Sequence, residues 1–388
     1  MTEGIKKAID YIKANDSYVE NAITLQGKAW RGEKSAMPVL ALACGLTEEQ
    51  SSWLPWSNYK DIHFDSEKML INGLRDVLSA VNGSYGAVPS MRANMGCGII
   101  ASLFGTQQRL FDDKMPWLLD HPSKADIQKI YSENCFKVSD SLEFAAAMDH
   151  MDYMYGVLKD KGLNNIYIYP LDLQGSIDTA HLIYGDTIFY DFYDDPEFVN
   201  GLLNSSNIAI DFAMRECFKR ISRVDEFVPH YNHLAIPRDV GAIKISEDTT
   251  TLLSAEHIAE YAQPYLRDLL ERFGGGYVHY CGRNDHLLDM ILKEPLVIGI
   301  NFGNTDMHDM TEILTRCREN KKPYVGGICR IGDESNFDYF KRILEPSYDK
   351  ENDYFYVLLQ YGCGLNDRAN IIGEFERAVE WVKNKKYE

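Results

Sequence analysis

Two side chains with an affinity for metals stand two apart in "GGGYVHYCGRND" (residues 274–285): His279 and Cys281. On an extended strand, residues i and i+2 face the same side, so both could reach one ion. A tetrahedral catalytic zinc takes three protein ligands and leaves a fourth position open. The third ligand should come from another strand end. Cys363 offers it: it follows the apolar run "YFYVLLQYGC", sits between Gly362 and Gly364, and precedes a helix. The plain alternative is core packing, because buried cysteine is common and the chain has eight. Cys317 reads as mid-helix and Cys329 as the end of an apolar strand, both structural. His230 and His233 in "PHYNH" are three apart, which suits a helix face better than a strand.

The elements that must position these residues alternate along the chain. Short apolar or β-rich runs ("YGAVPSM", "NNIYIYPLDL", "FVPHYNHLA", "GAIKIS", "GYVHYC", "LVIGINF", "PYVGGIC", "YFYVLLQYGC") are separated by helical patterns such as "SAEHIAEYAQPYLRDLLERF" and "DMHDMTEILTRCRENK". The first of these helices has Ser254 as its N-cap and Gly274 just past its end. Alternation of this kind implies a parallel sheet. Eight runs predict an α/β fold, a (β/α)8 TIM barrel over residues 81–388, with an N-terminal mostly helical extension over 1–80 packed on it. A doubly wound open sheet is the alternative. In a barrel the chemistry sits at the C-terminal ends of the strands, where "GYVHYC" ends.

Bulk composition narrows the function. At 388 residues and 45% hydrophobic the chain can bury a large core. Its net charge of −18 argues against nucleic acid, whose phosphates call for clustered Lys and Arg. The charged N-terminus lacks a signal-peptide apolar core, and no apolar run is long enough to span a membrane. Scattered cysteines in a large chain suit reduced thiols and a cytoplasmic setting. "KNKKYE" at the end reads as a solvated tail.

The His-x-Cys at a strand end, "LVIGINFGNTDM" after it and "YGCGLN" before the last helix resemble the superfamily of uroporphyrinogen decarboxylase and cobalamin-independent methionine synthase. The nearest likeness is to its zinc methyltransferases, which move a methyl group from a corrinoid protein to coenzyme M. "DTTTLLSAEHIAEYAQPYLRDLLERFGGGYVHYCG" resembles the segment leading into the metal strand, and "LQGSIDTAHLIYGDTIFYDFYDDPEFVNGLL" the substrate-side βα unit. The likeness covers about residues 85 to 385. It implies zinc on His279, Cys281 and Cys363, a methylated corrinoid (methylcobalamin) on a partner protein as donor, and a small thiol or pterin as acceptor. Zinc would hold the acceptor as its nucleophilic thiolate.

Two departures stand out. The methionine synthase carries Glu where this chain has Asn301, so the fourth zinc position is left to water, a substrate thiol or another side chain; Glu247 and Asp248 are candidates to fill or border it. The decarboxylase grips carboxylates with an N-terminal arginine run that is absent here, where only "WRGEKSAMP" and "SMRANMG" occur. Asn301, Gln174 and Asn94 are expected to border the opening, and Arg92 to hold an anionic tail of the acceptor. For each of these the plain reading is hydrogen bonding within a loop.

Other motifs fail their context. "MGCGIIASLFG" resembles a dinucleotide fingerprint, but the acid expected about 20 residues on is missing; its glycines read as close packing. "FGGGYV" lacks the Lys-Ser/Thr of a phosphate loop. The Met and Tyr stripe of "AAAMDHMDYMYGV" reads as core. Competing functions are a decarboxylase-like enzyme on a carboxylated substrate, which would need clustered arginines, and a non-catalytic barrel whose zinc has four protein ligands.

Overall fold

In the computed structural model, which describes residues 2–34 and 37–385, the strands of interest are β1 (Val39–Cys44), β2 (Ser90–Met91), β3 (Tyr167–Ile168), β4 (Phe227–His230), β5 (Leu234–Pro237), β6 (Ile243–Ser246), β7 (Gly276–Tyr280), β8 (Val297–Phe302), β9 (Tyr324–Gly326) and β10 (Val357–Cys363). Six of them form one parallel sheet in the order β1–β10–β9–β8–β7–β6, and β2 and β3 pair in parallel separately. The chain is therefore α/β with a central parallel sheet and helices between the strands. The ladders do not trace a closed ring of eight. The segments flanking the β2–β3 pair reach the six-stranded sheet: Gln174, after β3, makes a parallel bridge to Ser246, and Leu42 N–H donates to the carbonyl of Tyr85, before β2, at 3.1 Å. Gly86 permits that second approach: its φ is +63°, and a Cβ there would collide with the Leu40 carbonyl.

One of the expected runs behaves differently, and one strand arises where none was expected. "FVPHYNHLA" folds into the antiparallel hairpin β4–β5 rather than a parallel strand. Its turn puts Asn232 and His233 at φ of 57° and 65°, and Leu234 and Ile236 pack with Trp30, Tyr277, Val325 and Leu358. Its place among the parallel strands goes to "VLALAC", β1, inside the stretch expected to be an extension. The expected boundary at 80/81 falls within the helix Ser66–Gly83. Residues 386–388 of the expected charged tail lie outside the described residues.

The helix leading into β7 follows its sequence signals. Ser254 caps it by accepting from His257 N–H, and Gly274 ends it at φ 72°. Between them Ile258–Ala262 forms a π turn ahead of Pro264, whose missing N–H cannot join the α-helical ladder. The Met-rich helix Leu142–Asp160 buries Met148, Met151 and Met154 in the core, as expected. Gly96 and Gly98 pack against Pro116, Gln108 and Leu118, leaving no room for a Cβ at Gly98.

Candidate metal centre

Parallel register sets the centre. His279 on β7 lies level with Ser246 on β6 and Asn301 on β8. Its Nδ1 lies 2.5 Å from Asn301 Oδ1. The amide cannot turn its nitrogen there, because Asn301 Nδ2 donates to the Val325 carbonyl. Nδ1 must then carry the hydrogen, and Nε2 keeps its lone pair. That lone pair lies 3.7 Å from Cys281 Sγ and 3.8 Å from Asp248 Oδ1.

Among the described residues, Asp248, His279 and Cys281 each bring one donor atom to within 4.8 Å of the others. Tetrahedral zinc, with bonds of about 2.0–2.3 Å, spans ligand-to-ligand edges of roughly 3.4–3.6 Å. The two measured edges need only a few tenths of an ångström of contraction. The donor chemistry fits as well: a neutral imidazole, a thiol and a carboxylate, with the imidazole oriented through its other nitrogen.

Asp248 is held by its surroundings. Its own N–H and that of Thr249 each donate to the Asp178 carboxylate at 2.7 Å, and Asp248 Oδ1 accepts from Cys281 N–H at 2.6 Å. Glu247, expected to border the fourth position, is instead buried beside Gly175 and accepts from Thr250 Oγ1 at 2.5 Å. Burial and the neighbouring Asp178 push the Glu247 carboxyl well above its usual range, while burial and Asp248 raise Asp178 to about 7. Glu247 thus supports the loop from behind.

Cys281, His279 and Asn301 could be read as a Cys–His–Asn nucleophile set. That reading needs a thiolate, and the surroundings oppose one. Burial and the Asp248 charge push the Cys281 thiol up to about 11, and burial and Lys244 lower the pKa of His279. A cation held by Asp248, His279 and Cys281 would bring the thiol back down and keep the imidazole neutral, as ligation requires of both.

Cys363, expected as the third ligand, is not brought to this cluster. The pleat explains it. Leu358 packs with Tyr277 and Val325, and Gln360 faces the cavity below His279, whereas Tyr361 and Cys363 pack into the core on the other face. Cys363 Sγ instead lies 3.3 Å from Cys44 Sγ on β1.

Below His279 and Asn301 opens a cavity of about 550 Å3. Arg92 and Lys244 share one carboxylate in it, Asp172, at 3.4 and 3.2 Å. Burial pushes Asp172 up, but Lys244 and Arg92 outweigh it and hold the carboxyl well below its usual range. Arg92 also donates to Asn94 Oδ1 at 3.2 Å and lies 5.7 Å from the ring centres of both Tyr169 and Tyr231. Arg92, Asn94 and Asn301 line the cavity. Gln174 is buried in the bridge to Ser246. His230 Nε2 lies 3.2 Å from the Ala242 carbonyl.

Sequence reasoning missed Asp172, Lys244 and Cys44, and treated Asp248 only as a fourth-position candidate. "PLDL" and "GAIKIS" each held one charged residue in an apolar run, a visible signal of a buried ion pair. Nothing in the sequence paired Cys44 with Cys363.

No family model matches the chain, and no curated protein matches it in sequence. The fold has a solved counterpart. A methyltransferase from Methanosarcina mazei superposes with a TM-score of 0.63 at 12% identity, covering 92% of this chain and 98% of that one. At that identity the likeness speaks for the fold.

Proposed function

We propose that this protein is a zinc-dependent methyltransferase that moves a methyl group from a corrinoid, carried by a partner protein, to a small thiol or pterin. The observation that carries the reading is the oriented imidazole: its free Nε2 faces a thiol and a carboxylate at distances that suit zinc. Two facts support it. The solved methyltransferase has a similar fold, and the six-stranded parallel sheet together with the parallel β2–β3 pair has as many parallel strands as a (β/α)8 barrel would need.

His279 and Cys281 would hold the metal, and Cys363 would complete the set that the resemblance implies, once its thiol leaves Cys44. Gly362 and Gly364 on either side give that segment the backbone freedom to turn. Asp248 stands by as the carboxylate at the remaining position. When bound, zinc supplies the acceptor thiol as thiolate, held in place.

The other groups bind and orient. Asn301 fixes the imidazole, and Asp178 fixes the Asp248 loop. Arg92 and Lys244 share a single carboxylate, which leaves positive charge that would suit an anionic end on the acceptor. Tyr169 and Tyr231 flank that guanidinium and shield it from water. The decarboxylase reading wants a cluster of uncompensated arginines. Arg75 and Arg92 line the cavity, but Asp76 and Asp172 line it too, which is a poor holder for many carboxylates.

Metal analysis of purified protein tests the reading. The expected result is about one zinc per chain, lost in His279→Ala and Cys363→Ser and kept in Asp248→Asn, with methylcobalamin demethylated by thiols only where zinc is kept. Zinc kept in Cys363→Ser but lost in Asp248→Asn would make Asp248 the third ligand. Protein purified without chelator that contains no zinc would end the proposal.

A further inference from the structure

We infer that Cys44 and Cys363 form a reversible oxidation site, whose disulfide would lock the Cys363 thiol where it now lies, away from the metal centre. The bond itself rests on geometry alone; its effect on the metal rests on the reading of Cys363 as a ligand. The two residues are register partners at the ends of β1 and β10, and their sulfurs already lie 3.3 Å apart. Neighbouring strands run about 4.8 Å apart, inside the roughly 4.4–6.8 Å Cα separation that disulfides use. Reaching a bond of about 2.05 Å asks the sulfurs to move by little more than an ångström. The ladder continues past the pair, with Gly45 N–H donating to the Cys363 carbonyl at 3.0 Å, so the backbone holds both thiols level.

The accessibilities set the order of events. Cys363 is partly exposed and Cys44 is buried. A hydroperoxide meets Cys363 first: the thiol sulfur attacks the O–O bond, becomes a sulfenic acid and releases an alcohol, or water from hydrogen peroxide. The Cys44 thiol then attacks that sulfur and expels water, which leaves a disulfide. Two thiols are oxidised and one peroxide is reduced. A dithiol reductant returns both. The oxidised Cys363 sulfur carries no thiolate and cannot ligate zinc. In a reducing compartment the pair stays open; under peroxide stress methyl transfer would stop.

The experiment exposes zinc-loaded full-length wild type, Cys44→Ala and Cys44→Ser to hydrogen peroxide. Non-reduced peptide mapping and zinc release to a chromophoric chelator are read together. The expected result for wild type is a Cys44–Cys363 cross-linked peptide two hydrogens lighter than its parts, zinc released in step with it, and both reversed by dithiothreitol. The Cys44 variants should transfer methyl normally before treatment, form no cross-link, and trap Cys363 as a dimedone adduct. Absence of the cross-link in wild type while other thiols oxidise would overturn the site. A cross-link that leaves zinc in place would overturn the effect on the metal and the Cys363 ligation beneath it, while the disulfide stands.

Discussion

A histidine tied down at one nitrogen is a directional ligand, and here one amide does the tying. Asn301 Oδ1 can only accept, since its nitrogen is committed to the Val325 carbonyl. Asn301→Ala should weaken zinc binding about 10- to 100-fold while the fold persists; competition with a chromophoric chelator reads it, and unchanged affinity would mean the ring is oriented by something else. Asp172→Asn should cost on the order of 2 kcal/mol in urea unfolding, less than the ~3–5 of a fully buried pair because the cavity admits water. It leaves Arg92 and Lys244 facing each other without an anion. At this scale the sequence was readable where a local period decides. The two-residue spacing correctly put His279 and Cys281 on one face. It could not give the pleat phase at the far end of β10, so the outward turn of Cys363 was hidden. Nor could it show that Lys244 and Asp172, 72 residues apart, meet.

Elements were legible where composition and period agreed. The helix from Ser254 to Gly274 and the strands β6, β7, β8 and β10 lie where the runs placed them. β1 was missed because "VLALAC" is short, Ala-rich and without alternation, so it looked like part of a mixed segment. The hairpin was missed because its turn uses Asn232 and His233, not the Gly that usually marks positive φ. One helix end makes a prediction. Lys322 donates to the Ile291 carbonyl at 3.3 Å and to the Glu294 carbonyl, at the C-terminal end of the helix Asp285–Lys293. Burial lowers its pKa from 10.5 to about 8. Between those values the unfolded chain binds more protons, so stability should rise as pH climbs from about 8 to 10.5, by up to ~3 kcal/mol. Lys322→Met should flatten that slope in denaturant titrations at several pH values; an unaltered slope would locate its origin elsewhere.

For the whole molecule, alternation of strands and helices was enough to predict a parallel α/β fold, and the acidic net charge is concentrated outside a cavity that carries Arg92 and Lys244. A metal at the centre would join β7 to the loop after β6. It should stabilise the folded state by ~2.7 kcal/mol at a free concentration one hundred times its dissociation constant. Thermal unfolding with and without a chelator measures this, and an identical midpoint in both would show that nothing is held. The sheet has one more property that bears on how the protein is made. β1 finds its partner in β10, and Cys44 and Cys363 lie 319 positions apart. At synthesis rates of roughly 5–20 residues per second, the first strand emerges from the ribosome about 15–60 s before the strand that covers its edge. Throughout that interval the nascent chain carries an open, apolar strand edge, the kind that recruits chaperones or aggregates, so the speed of translation and the supply of chaperones should govern the yield of soluble protein more than the stability of the finished fold does.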